Sequence, residues 1–401
     1  MDQNCRNKIT RRSLLRAAGG LAGAMAWSNV ARASRLIIVA TSPGAPISRI
    51  EWIRYDTGRL DSVGTPITRC AVRLTTTAGD QGWADVEGWI APDSGMSRTI
   101  ESIVLGQDPA NHELLWQQLY AQAVPLATLG AIDTALWDLR GRIANQPVCN
   151  LLGAERLRIG SYVSSGLDLG GSSEYAAFAS TCQESGSQGV KIQSAAETPT
   201  QDIAIYAAVR DAVGADFPCF ACGVAGYTLE EAVQVGQGLD DLEYAWFQSP
   251  MPEADAWVST YTTLAASIET PLCGPVDGAG SYQARNTWLD RGACDIACID
   301  VHHGGLTACI QLADICQSKG IPLELPNVGL DAYPHLQLAG ARTEAVVPHL
   351  ELLSLSREPR TEPGRLTPEP VFDDEGYIAV PQSPGMGLEL DWKYIFTHRV
   401  A

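Results

Sequence analysis

The residues of this 401-residue chain best suited to chemistry are its cysteines and one pair of adjacent histidines. Cys219-Phe220-Ala221-Cys222 is a C-x-x-C, the spacing of thiols that bind zinc or exchange disulfides. With no second pair at finger-like spacing, the signal is weak. Ten of the eleven cysteines, all but Cys5, are spread through the chain from Cys70 to Cys316, and unpaired cysteine is among the most buried residue types. Thiols packed in a core are therefore expected. His302 and His303 fall where a β-rich stretch runs into a loop, a place for loop hydrogen bonding or for function. No Walker, Rossmann or G-x-S-x-G motif occurs, so phosphate-loop, dinucleotide and nucleophile-elbow chemistry lack their signatures.

Charge narrows the partners. Lys and Arg total 28 against 46 Asp and Glu, a formal charge of −18, and a field of that sign repels phosphate backbones and anionic lipid. Nucleic acid is not an expected partner. Positive charge gathers at the start, where Thr10-Arg11-Arg12-Ser13-Leu14-Leu15-Arg16 precedes a small apolar stretch from Ala17 to Trp27 and an Ala31-Arg32-Ala33 step. This predicts a twin-arginine export signal over residues 1–33, a linker over 34–45, and a periplasmic or other extracytoplasmic destination. The apolar stretch is too short for a bilayer that needs about twenty residues, and no other segment is long enough to cross one. Cleavage after Ala33 would leave 368 residues carrying a charge near −23. An oxidising compartment permits disulfides. Cargo exported folded, however, would arrive with most thiols already packed.

The elements that must position any site change character near residue 155. From Ile47 to about Val86, alternating stretches such as Arg69 to Thr76, with a turn at Ala78-Gly79-Asp80, predict a small antiparallel sheet. Leu129, Ile132, Leu136, Leu139 and Ile143 then form one apolar stripe on a helix of about four turns. Beyond Gly153, β-rich stretches such as Gly189-Val190-Lys191-Ile192 and Tyr244-Ala245-Trp246-Phe247 alternate with helical ones, including Thr228–Leu239, Ala256–Ile268 and Thr307–Ser318. Repeated strand–helix alternation makes the fold class α/β, with a closed barrel competing well against an open doubly wound sheet.

One stretch carries a family likeness. Ala131-Ile132-Asp133-Thr134-Ala135-Leu136-Trp137-Asp138-Leu139-Arg140-Gly141, followed by Asn145-Gln146-Pro147-Val148 and Leu151-Leu152-Gly153, resembles the junction helix of the mandelate racemase and muconate lactonizing enzyme group of the enolase superfamily. Trp246-Phe247-Gln248-Ser249-Pro250-Met251-Pro252, Asp295-Ile296 through Gly304-Gly305-Leu306-Thr307, and Asp374-Glu375-Gly376-Tyr377 with Pro384-Gly385-Met386-Gly387-Leu388 follow in that group's order. The resemblance covers about residues 46 to 392. It implies an α+β capping domain over 46–154, a modified (β/α)-barrel over 155–365 and a segment over 366–401 that returns to the cap, with the site at the C-terminal ends of the barrel strands.

The chemistry implied is proton removal beside a carboxylate. That step makes a dianionic enolate, which a divalent cation on three carboxylates neutralises while bases stand on either side. At the implied ligand positions this sequence has Cys222 for an aspartate, Val224 for an asparagine, Gln248 and Ser249 for paired glutamates, and Pro275-Val276 for a Gly-Glu step. None of these supplies a hard anionic oxygen. Among the bases, Lys191 matches the first lysine of a pair whose second is Gln193. Asp300 matches the aspartate of a dyad whose histidine falls on Pro326 or Asn327. Asp277, Glu253 and Asp255 stand near the vacant ligand positions, with Asp277 the compensating ligand candidate, though strand alternation points it away. Asp300 is the natural counter-charge for Lys191, and Cys222, Cys273 and Cys298 form a remote candidate for zinc.

Two functional readings follow. The first is an exported homologue that has lost the magnesium-dependent chemistry and keeps the barrel to bind a carboxylate ligand or to serve as a scaffold, with no cofactor expected. The alternative is an acid-sugar dehydratase or racemase, a lyase or isomerase using the relocated groups Lys191, Asp300, His302 and His303, with Mg²⁺ as its cofactor if the ion is still held. Both take a small carboxylate or acid sugar as partner, and the resemblance also implies a homo-oligomer.

Overall fold

The computed structural model describes residues 44–194, 198–326 and 332–400, so the export signal expected over 1–33, most of the linker and Asn327 lie outside the described residues. Alternation builds three antiparallel strands, β1 (Ile47–Leu60), β2 (Pro66–Thr76) and β3 (Gln81–Glu87), in the order β1-β2-β3. Ile47, Ile50, Ile53, Val72 and Leu74 are buried in the same core as the helix Leu126–Ile143, which packs on β2 and β3. That helix is buried along nearly its whole length because it lies between cap and barrel.

Two aspartates of the junction helix tie the two parts together. Asp133 accepts from the Thr307 backbone N–H at 2.7 Å and hydroxyl at 2.6 Å, fixing the start of the barrel helix Gly305–Lys319. Gly305, at φ +80°, leaves no room for a side chain because a Cβ would lie 2.6 Å from the Asp133 carboxylate. Asp138 accepts from the Trp83 N–H at 2.9 Å, the Met386 N–H at 2.8 Å and Arg142 Nε at 2.7 Å, joining β3 to the C-terminal tail. The motif that carries the family likeness is thus a set of buried acceptors matched to donors from distant segments.

Eight short parallel strands follow: β4 (Arg158–Ser164), β5 (Val190–Gln193), β6 (Cys219–Cys222), β7 (Trp246–Gln248), β8 (Leu272–Cys273), β9 (Ala297–Cys298), β10 (Leu323–Glu324) and β11 (His349–Leu352). Their order is β11-β4-β5-β6-β7-β8, with β9 paired to β10. A bridge between Cys273 and Ile296 joins β8 to the segment before β9, and a hydrogen bond from the Leu323 N–H to the Val346 carbonyl, 2.7 Å, joins β10 to the segment before β11. Helices alternate with the strands, several begun by side-chain caps such as Thr228, whose hydroxyl accepts from the Glu231 N–H. β12 (Tyr377–Ala379) runs antiparallel on β4, and the last residues pair with β1. The protein is therefore α/β, an N-terminal antiparallel cap on a parallel barrel domain, the fold class expected from the sequence. Among the described residues no helix is long and apolar enough to cross a membrane. All ten described cysteines are buried and unpaired, as the burial habit of the residue led us to expect.

Candidate functional site

The strand ends place one side chain from each of the eight barrel strands in a common interior ring: Tyr162, Lys191, Cys222, Gln248, Cys273, Cys298, Glu324 and Glu351. Lys191 is 4% exposed; its ammonium lies 2.5 Å from Glu351 Oε1 and donates to Gln248 Oε1 at 3.0 Å. The Gln248 amide nitrogen in turn faces the thiols of Cys273 and Cys298, at 3.7 and 3.8 Å. Burial works against the lysine's charge, but the charge and hydrogen bond of Glu351, with the polar ring around it, together hold the ammonium above the ordinary lysine range. Burial pushes all three thiols up, so they are neutral. Among the described residues the second glutamate, Glu324, accepts from the Tyr162 hydroxyl alone, at 3.3 Å, and burial with Glu351 nearby pushes its carboxyl up to about 8.

A second polar group lies between barrel and cap. Asp300 Oδ1 accepts from the His302 N–H at 2.8 Å and from His303 Nδ1 at 2.9 Å. His302 Nε2 lies 3.0 Å from Glu87 Oε2, at the end of β3. Burial alone would raise Asp300, yet the imidazole bonds dominate and hold it far below the usual carboxylate range. The expected Lys191–Asp300 pairing therefore does not form: Asp300 is taken by the histidines, and Glu351 neutralises the lysine. A small cavity beside His302 is lined by Trp83, Asp85, Thr134, Val301 and Tyr333.

Residues 63–153 match the mandelate racemase / muconate lactonizing enzyme N-terminal domain, and residues 174–394 match the enolase C-terminal domain-like family. The chain belongs to the mandelate racemase/muconate lactonizing enzyme family of the enolase superfamily. Its similar proteins include the arabinonate dehydratase of Saccharolobus solfataricus, 25% identical over 349 residues, 81% of this chain and 89% of that one. The D-galactarolactone cycloisomerase of Agrobacterium fabrum is 26% identical over 343 residues, covering 80% and 88%. Among solved structures, D-glucarate dehydratase from Agrobacterium tumefaciens, complexed with magnesium, superimposes with a TM-score of 0.80 at 25% identity, covering 89% of this chain and all of that one.

The positions implied by family membership are placed as follows. Cys222 and Gln248 end adjacent strands in register, while Val276 lies in the loop after β8. Val224 holds a left-handed backbone, φ +45°. Gln193 donates to the Ser164 hydroxyl at 2.8 Å. Asp277 is exposed; its N–H donates to Glu253 and its carbonyl lies 3.3 Å from His303 Nε2. Glu253 is buried, accepting from the Ser249 hydroxyl and from the Val276 and Asp277 N–H groups, and Asp255 is exposed. The structure thus brings Lys191, Cys222 and Gln248 together and groups Asp300, His302 and His303 separately. Asp277, Glu253 and Asp255 enter neither set.

Four residues were not singled out from sequence. Glu324 and Glu351 sit in β10 and β11, strands of two and four residues whose lengths carry little periodicity. A glutamate between leucines, as in Leu323-Glu324-Leu325 and Leu350-Glu351-Leu352, was the available signal. Glu87 reaches the barrel from the cap. His335, on the helix Ala332–Gly340, is fully buried with neither ring nitrogen hydrogen-bonded among the described residues, and burial pushes it down to about 4.

Proposed function

We propose that this protein is an acid-sugar lyase or isomerase whose barrel mouth supplies positive charge from Lys191 instead of from a carboxylate-held divalent ion. The observation that carries the reading is the 3.0 Å contact between the Lys191 ammonium and Gln248, a residue at an implied metal-ligand position. A cationic group beside an implied ligand position supports this reading. The donor chemistry agrees: Cys222 is a neutral thiol, the Gln248 oxygen is engaged by the ammonium, and Val276 has no donor side chain. These residues do not fit Mg²⁺, which requires hard, mostly anionic oxygens in octahedral array. Among the described residues no three His, Cys, Asp or Glu side chains are grouped to hold a metal ion.

Substrate class comes from the relatives, whose names include arabinonate, galactonate, and talarate/galactarate dehydratases and a galactarolactone cycloisomerase. In such a reaction Lys191 would stabilise the developing enolate, as a preorganised donor does in a water-poor site. The Asp300–His303 pair would accept the α-proton. The test is α-proton exchange in D₂O across a panel of acid sugars, with chelator and with added Mg²⁺. Exchange that survives chelation supports the reading; exchange that appears only with Mg²⁺ overturns it.

A second reading, a barrel kept for carboxylate binding alone, is favoured by one fact: Glu351 already neutralises Lys191. Binding of an acid sugar without exchange under any condition selects it. We further propose export by the twin-arginine route on the strength of Arg11-Arg12 and the apolar stretch after them. Loss of the protein from a periplasmic fraction on Arg11→Lys/Arg12→Lys substitution is the expected result.

A further inference from the structure

The interior ring holds two carboxylates, Glu324 and Glu351, but one ammonium, Lys191, and each is at most 4% exposed. With both acids ionised the ring would carry an uncompensated negative charge away from water, which a protein avoids by protonating one of them. The groups facing Glu324 do not change this count. They are Glu351 from β11, Lys191 from β5, Tyr162 from β4 and the thiols of Cys273 and Cys298 from β8 and β9, and burial keeps the phenol and both thiols neutral. The two acids are not equivalent. Glu351 has an ion pair at 2.5 Å, whereas among the described residues Glu324 has one long hydrogen bond, from a phenol. The acid with the weaker claim on its charge is the one that keeps a proton.

We propose that Glu324 is a positioning residue of the barrel mouth: it carries the proton that the ring must hold, leaves Glu351 as the only anion facing Lys191, and so keeps the ring neutral toward an incoming carboxylate. The inference rests on Lys191 as the cationic group of the site. Ionisation of Glu324 releases that proton to solvent, places a second anion beside the ammonium and repels an anionic ligand. The raised carboxyl, at about 8, sets this change in the alkaline range.

The experiment compares the full chain with Glu324→Gln, which is always neutral and retains an acceptor for Tyr162, from pH 6.5 to 9.5. Difference infrared spectra of protein labelled with ¹³C-glutamate should show a protonated glutamate in the wild type that titrates above pH 7 and is missing in the variant. D-Galactonate affinity, by calorimetry, should fall about tenfold across this range in the wild type and stay level in Glu324→Gln. A tenfold change corresponds to about 1.4 kcal/mol. Absence of the protonated band, or parallel affinity profiles in the two proteins, overturns the proposal. If D-galactonate and related acid sugars bind neither protein at any pH, the reading of Lys191 fails, and the positioning role with it, while the infrared titration still reports the proton. Should Glu324→Gln not fold, the labelled wild type alone decides, since no glutamate titrating above pH 7 is an overturning result.

Discussion

Lys191 and Glu351 close an ion pair at 2.5 Å between strands that are not neighbours, β5 and β11, spanning β4 through the barrel interior. Both side chains are almost fully buried, so the pair is shielded from water. Removing one partner leaves an uncompensated buried charge, which costs about 3–5 kcal/mol. Lys191→Met, which leaves Glu351 without a counter-charge beside Glu324, should lose about that much in urea unfolding, and Lys191→Met/Glu351→Leu should recover most of it. A single-variant cost under about 1 kcal/mol would mean that the pair is hydrated.

How much of this was legible in the chain varies by element. The cap was readable because β1 to β3 alternate over 7 to 14 residues, enough to fix period and turn. The junction helix was readable for the same reason, and its aspartates mark the family because they serve fixed donors. The barrel was legible as a repeat of strand and helix but not strand by strand, since β8, β9 and β10 are two residues each. Lys191, Cys222 and Gln248 could be placed by position. Their partners could not: Glu351 meets Lys191 from 160 residues away, a contact that no local pattern encodes. Asp300 was a reasonable counter-charge on sequence, and the histidines two and three residues later took it through short local bonds.

Asp138 tests whether the motif is structural. Its fully buried carboxylate serves Trp83, Met386 and Arg142, so Asp138→Ala leaves two buried N–H groups without acceptors and takes one of the partners of the Arg142 guanidinium, which keeps Leu388 and Glu389. At about 1–3 kcal/mol per stranded group, partly relieved by relaxation, a loss of about 3 kcal/mol is expected in urea unfolding. Asp138→Asn should cost less, because an amide oxygen can still accept. Equal losses in the two variants would place the effect in charge alone.

The thiols make a sharper claim about chemistry. All ten are buried and the ring thiols are neutral, whereas thiolates are the reactive form. Native protein at pH 8 should therefore resist alkylation by iodoacetamide, and every thiol should react once urea unfolds the chain. Rapid labelling of one or two residues in the native state would identify an open path to the barrel interior.

Glu87 and His302 couple cap to barrel through a titratable contact. Burial would raise the Glu87 carboxyl, but the His302 hydrogen bond and the charges of Arg69 and His302 bring it down to about 2. A folded value below the ordinary 4.5 means that the contact stabilises the fold above about pH 4.5 and that this stability is lost as pH falls toward 2. The side chain is 35% exposed, so solvent screening reduces the effect to about 1 kcal/mol. Glu87→Gln should be less stable than wild type by that amount at pH 6 and equal to it near pH 2. An unchanged gap across this range would mean that the bond, and not the charge, supplies the stability.

Val224 offers a gain instead of a loss. It is followed by Ala225, and both hold positive φ, +45° and +57°, in the turn that leaves β6. For a β-branched residue that conformation is an outlier, costing of order 1 kcal/mol or more, while asparagine enters it far more readily. The family resemblance implies an asparagine at this position, a residue that this turn's backbone shape would suit. Val224→Asn should therefore raise the urea midpoint, by about 1 kcal/mol of stability, without conferring a response to Mg²⁺, because Cys222, Gln248 and Val276 are unchanged. Val224→Ile, still β-branched, should give no gain. A Mg²⁺-dependent rise in the midpoint of Val224→Asn would show that the mouth retains a latent cation site, against the proposed role of Lys191.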